Sequence, residues 1–148
     1  MICRGVTVVL VACGVAWGGW PPAGKPVRLE VTRDNWTSAV GKERFGNNGG
    51  GGRLKLKGQQ EHTLFDVDVS ALRGKRITGA LWHVRSASPK APLLRVTVST
   101  LAGPWVEGTA AGYKRQDGSS CFAQAALGRR DWTVAGSTLV EAAWGRGT

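Results

Sequence analysis

The sequence is short of the residues on which the commoner enzyme chemistries depend. Its 148 residues include 3 Cys, 2 His, 1 Tyr and 1 Met. Three Cys cannot build the dense disulfide framework of a small secreted scaffold. His62 and His83 have no companion Cys or His at ligand spacing, which disfavours a His-rich metal site or a His-dependent relay. No apolar run approaches the roughly 20 residues that a transmembrane helix needs. Gly49 to Gly52 lacks the Lys-Ser/Thr of a phosphate loop and precedes a strand pattern, so nucleotide binding is disfavoured. Acidic residues are also scarce, 10 against 20 Lys and Arg, for a formal charge of +10. What is abundant is Gly, at 22, and Trp, at 7, within a 42% apolar chain. One basic, Gly- and Trp-rich domain, large enough to bury its own core, fits these numbers.

Val6 to Trp17 carries no charge and comes after Arg4, the pattern of a signal-peptide apolar segment. Ala16-Trp17-Gly18 offers a small–x–small cleavage site before Gly19, whereas Leu10-Val11-Ala12-Cys13 suits a lipoprotein signal with a lipid anchor at Cys13. Pro21-Pro22 separates this run from the rest of the chain, which argues against a buried strand of the domain. Residues 1–24 are therefore expected to be a signal plus a short linker, and 25–148 a single exported domain. Losing Arg4 leaves 19 basic against 10 acidic residues, near +9. Cys121 then stands without an intrachain disulfide partner.

The remainder alternates with the period of half-buried strands. Candidates are Pro26 to Thr32, Arg53 to Lys57, Thr63 to Val69, Ile77 to Val84 and Leu93 to Thr100, with shorter ones at Cys121 to Ala126 and Thr138 to Trp144. Asp34-Asn35 begins a predicted turn, and Gly41 to Gly52 reads as a loop. A weak helical pattern lies around Ala123 to Leu127. Short strands with Gly/Pro turns near every tenth residue predict an all-β fold, an antiparallel β-sandwich or jelly roll.

Several elements occur in a particular order: Asp34-Asn35, Phe45-Gly46-Asn47-Asn48-Gly49, Arg53-Leu54-Lys55-Leu56-Lys57, Thr63 to Leu72 (TLFDVDVSAL), Ile77 to Leu81 (ITGAL), and Pro104 to Thr109 (PWVEGT). This order, spanning Val27 to Thr109, resembles the DNRLRE-domain family of extracellular bacterial jelly-roll modules, which are similar to alginate-binding carbohydrate-binding modules. The resemblance implies a jelly roll that contacts acidic glycan. Family members usually continue through further strands after the Trp-Glu-Gly element. This sequence ends at Gly145-Arg146-Gly147-Thr148, which suggests a C-terminally truncated or short variant.

Arg53, Lys55 and Lys57 fall on one face of a strand, roughly 6.5–7 Å apart, a spacing suited to successive carboxylates of a uronic-acid polymer. Arg95 extends the patch if its strand is a neighbour. The competing reading is a solvated face whose cations discourage edge pairing. Trp36 and Trp105, near turns, are candidate stacking platforms for sugar rings, although buried Trp is the more frequent outcome. Trp82 and Trp144 resemble core. Asp66 and Asp68, at i and i+2, are weak candidates for a structural calcium; no other cofactor is expected.

The preferred function is a secreted or surface-attached, non-catalytic module binding an acidic polysaccharide or cell-envelope glycan. The alternatives are a structural or adhesive envelope domain without a specific ligand, and part of a polysaccharide-degrading enzyme. Within the enzyme reading, Tyr113 is the single Tyr available for proton transfer in a lyase. Nucleic acid is not an expected partner of an exported protein, and membrane attachment would come only through Cys13. Oligomeric state is left open.

Overall fold

The structure is a computed structural model that describes residues 2–3, 7–11, 26–77, 79–87, 95–101 and 103–143, the first two segments as backbone only. It is mostly strand: β1 (Ile2–Cys3), β2 (Thr7–Val11), β3 (Pro26–Ser38), β4 (Arg53–Leu54), β5 (Glu61–Val67) and β6 (Gly79–His83), with one short helix, α1 (Leu139–Ala143). Four strands form an antiparallel sheet in the order β5-β3-β2-β6, and β1 pairs with β4. The all-β expectation agrees with this architecture. None of the helices among the described residues is long and apolar enough to cross a membrane.

β3 organises the sheet because its two halves pair on different edges. Pro26 to Glu30 pairs with β2, and Val31 to Ser38 with β5. A register irregularity between Val31 and Arg33 inserts one extra residue, so the inward parity changes there. Before it, Val27 and Leu29 face a cluster with Phe65, Val67, Leu72 and Trp82; after it, Trp36 packs with Leu54, Leu56 and Trp82. The opposite face of β5 is also covered. Leu64 packs there with Trp105, Phe122, Trp132 and Leu139. The sheet is thus buried on both sides where β3 and β5 meet.

Several local expectations need correction. Asp34-Asn35 is strand rather than turn. The Asn35 side chain reaches distant backbone groups, Ser120 O and Asn48 N–H, so no local turn is needed to satisfy it. Thr7–Val11 lies within the predicted leader, yet it pairs with both β3 and β6. Its β-branched Thr7, Val8, Val9 and Val11 suit extended backbone.

In the predicted strand at Leu93 to Thr100, residues 95–100 are exposed and make no ladder; residues 93–94 lie outside the described residues. Only Arg53–Leu54 of the predicted Arg53 to Lys57 strand is regular, with an isolated bridge from Lys57 to Glu61. Cys121 to Ala126 is bent, irregular backbone with an isolated bridge from Ala126 to Arg130, neither strand nor helix. The predicted strand from Thr138 is α1, because Thr138 and Glu141 form a capping pair: the Thr138 backbone N–H and hydroxyl both donate to Glu141 Oε2, at 2.6 and 2.9 Å. Trp144 lies outside the described residues.

Candidate functional site

A buried polar node ties the loops to the sheet and positions everything around it. Asn35, Asn47 and Ser120 are completely buried and Asn48 nearly so. Asn47 Nδ2 donates to the carbonyls of Glu107 (2.6 Å) and Ser120 (2.9 Å), and its Oδ1 accepts from Gly49 N–H. Asn35 Nδ2 donates to the same Ser120 carbonyl, and Asn35 Oδ1 accepts from Asn48 N–H. Asn48 Nδ2 donates to Trp36 O, while its Oδ1 accepts from Tyr113 N–H. Side-chain amides suit this node because each combines two donors with an acceptor, so they can replace ladder bonds that irregular loops lack.

The node fixes Tyr113, the one non-Gly described residue with positive φ, at 63°. That conformation costs about 1–2 kcal/mol, which the Asn48 hydrogen bond helps to offset. From here the phenol reaches the sheet. Lys55 Nζ donates to Tyr113 Oη at 2.9 Å, and Tyr113 Oη–H donates to Glu61 Oε1 at 2.9 Å. Lys55 Nζ also lies 3.8 Å from Glu61 and 4.4 Å from the Trp36 ring centre. The Tyr113 hydrogen bond, then the Glu61 charge, hold the Lys55 pKa above its ordinary value despite partial burial. Burial chiefly raises Tyr113 as well.

The predicted strand-face stripe is therefore divided. Lys55 turns into this internal cluster, whereas Arg53 and Lys57 are exposed. Lys57 sits at the hairpin from Lys57 to Glu61, whose turn uses Gly58 at φ +48°. Two clefts adjoin at that hairpin and share Leu56, Lys57 and Glu61. One, of about 580 Å³, also includes Ser38, Glu43, Lys55 and Tyr113. The other, about 400 Å³, is lined by Lys57, His62, Phe65, Trp82, Arg95 and Leu139 among others. Phe65 and Trp82 stack there with ring centres 5.0 Å apart at 16°. The structure thus brings Lys57 and Arg95 to one cleft, although Arg95 arrives on an irregular segment. Neither has an ion-pair partner among the described residues.

Trp36 and Trp105 are not displayed platforms: they are only 6% and 5% exposed. Lys55 covers the Trp36 ring, and the Arg33 guanidinium carbon lies 4.4 Å from the Trp105 ring centre. Arg33 also donates to Trp105 O at 2.6 Å and pairs with Asp66. Asp66 is thus committed to Arg33. Asp68, beyond the end of β5, instead accepts the Ser70 N–H at 2.8 Å, a bond that lowers its pKa. The two carboxylates do not form a shared ligand pair. No group of three or more His, Cys, Asp or Glu side chains among the described residues could hold a metal ion. Cys121 is free and buried, its thiol pushed up chiefly by burial.

His62 is half-buried, with its ring 5.6 Å from that of Phe122 and Nε2–H donating to Gln59 O at 3.2 Å. Burial lowers its pKa, and the Gln59 contact opposes the shift only in part. Because the folded value lies below the unfolded one, this contribution to stability is complete above about pH 6.5 and declines as pH falls. Thermal melts should show the native protein losing more stability than His62→Gln between about pH 7.5 and pH 5. Parallel losses in the two proteins would remove His62 as the source.

No protein-family profile, curated protein sequence or solved structure matches the chain.

Proposed function

We propose that this protein is an exported, non-catalytic β-sandwich module, similar to the jelly-roll DNRLRE domains, that binds an acidic polysaccharide. The observation carrying this reading is the cleft in which Lys57 and Arg95, both without counter-ions among the described residues, stand beside the stacked Phe65 and Trp82 rings. A flat aromatic surface complements the C–H face of a pyranose. The ammonium supplies a point charge and the guanidinium a bidentate donor for carboxylates of the same polymer. Its volume lies within the range of small-ligand sites, about 300–1,000 Å³, large enough for individual sugar units. The sandwich assignment draws support from clusters on both faces of β5. Export rests on the apolar run after Arg4; processing before Gly19 would withdraw β2 and leave β3 and β6 with unpaired edges there.

Affinity electrophoresis at low salt tests the proposal. The native protein should be retarded in alginate or pectate gels, and Lys57→Ala combined with Arg95→Ala should abolish most of that retardation. Both side chains are exposed, so the double variant should remain folded. No retardation of the native protein, or equal retardation of the variant, would overturn the reading. Lys55→Ala should lower stability instead, because it leaves Glu61 and the Tyr113 hydroxyl without their ammonium partner.

A further inference from the structure

A second concentration of positive charge lies on different residues, where the 3-10 turn Gly41–Phe45 meets the segment after Tyr113. The guanidinium carbons of Arg44 and Arg115 lie 5.5 and 5.4 Å from the centre of the same Phe45 ring. Both charges also act on the Cys121 thiol, opposing the effect of its burial. The arrangement is held by backbone hydrogen bonds on either side: Asn47 N–H donates to Lys114 O, and Ala123 N–H to Arg44 O.

The neighbouring acids form no ion pair with these charges. Glu43 accepts from the Ser38 hydroxyl, and Asp117, two residues beyond Arg115, pairs with neither guanidinium. Arg44 Nε is shielded from solvent without a hydrogen-bond partner. Among the described residues, neither guanidinium has an acceptor. Two like charges held beside one ring, with unused donors, make a preformed environment for an anion.

We infer that Arg44 and Arg115, positioned by Phe45, form a site for a tetrahedral oxyanion, the sulfate or phosphate group of a ligand. Two guanidiniums present about ten N–H donors between them, whereas a carboxylate has only about four lone-pair positions. A tetrahedral group, with three or four oxygens directed apart, can accept from both forks at once. Lys42 and Lys114, adjacent in sequence to the two arginines or one residue removed and exposed, add attraction at longer range. This site uses none of the residues of the Lys57–Arg95 cleft and stands independently of it.

Titration with inorganic sulfate, monitored by the arginine side-chain signals in ¹H–¹⁵N spectra, tests the inference at low ionic strength. Saturable shifts confined to Arg44 and Arg115 are expected, with acetate at least tenfold weaker. A monosaccharide sulfate that binds more tightly than inorganic sulfate would place the group on a glycan; the reverse would point to the free ion. Arg115→Gln should weaken sulfate binding about tenfold or more. Arg115→Lys, which retains charge but loses the fork, should recover only part of the affinity. Lys57→Ala combined with Arg95→Ala should leave sulfate binding unchanged. Shifts that do not saturate, that spread over the basic residues, or that survive Arg115→Gln would overturn the inference.

Discussion

Replacing Gly49 by Ala should destabilise the protein by about 3 kcal/mol, among the larger effects expected of one added methyl group. A Cβ at this position would lie 2.2 Å from Glu107 O and 2.6 Å from Gly108 O. Both are backbone atoms, so no rotamer change relieves the overlap. Moving the backbone at 107–108 aside would also stretch the 2.6 Å bond from Asn47 Nδ2 to Glu107 O. Shifting Gly49 instead would break its own N–H bond to Asn47 Oδ1. Gly52 is the internal control. A Cβ there meets nothing within 4 Å, and its φ is not in the left-handed region. Gly52→Ala should range from neutral to about 1 kcal/mol stabilising, through reduced freedom of the unfolded chain. Urea unfolding of the two variants checks the contrast, and equal midpoints would contradict the close packing of this loop.

Asn47→Asp should be more damaging still at neutral pH, by about 3–5 kcal/mol, although it conserves shape. The substitution replaces an amide that donates to two carbonyls with an oxygen facing those same carbonyls at 2.6 and 2.9 Å. The site is completely buried, so water cannot screen the resulting repulsion. A neutral carboxyl retains one O–H donor and satisfies one of the two carbonyls. The folded-state pKa of the new Asp should consequently rise above the ordinary value. With that sign, the penalty is smallest below about pH 3.9, the unfolded value, and grows as pH rises through the folded one. Urea titrations at about pH 4 and pH 7 should therefore show the variant closer to the native protein at the lower pH. A penalty independent of pH would indicate that the buried charge is not its cause. The other site predictions differ in kind, because exposed cations contribute to ligand affinity more than to folding.

The two large effects share one origin, and it bears on what the resembling sequence elements do. Asn35, the Gly46-Asn47-Asn48-Gly49 run and the Trp105 to Glu107 element all converge on the buried node. Arg33 and Asp66 join at its edge through Trp105 O. In the structure these elements hold loops to a sheet. The cations proposed for ligand contact, Lys57, Arg95, Arg44 and Arg115, lie outside the node.

Alternation along the chain was enough to establish all-β character and to place Val27, Leu29, Phe65, Val67 and Leu54 inward, because period two requires only the local pleat, but it also put Val69 on the Phe65 face, where it lies beyond the end of β5 and is exposed. It could not locate the irregularity after Val31, which reverses parity and sends Trp36 inward. Nor could it identify the burial of Trp105, which depends on Leu64, Phe122 and Trp132 arriving from distant segments. The start of α1 was legible in Thr138-x-x-Glu141, a capping signal that the apolar pattern obscured. The site divided in the same way. Basic residues at Arg53, Lys55 and Lys57 are plain in the sequence, but their fates separate only once Tyr113 and Glu61 claim Lys55. Phe65 and Trp82 become a cleft wall, and Arg44 and Arg115 neighbours, through packing across many residues of chain. Periodicity reports which side of a strand a residue occupies; what meets it there is set by long-range contacts that no local pattern encodes.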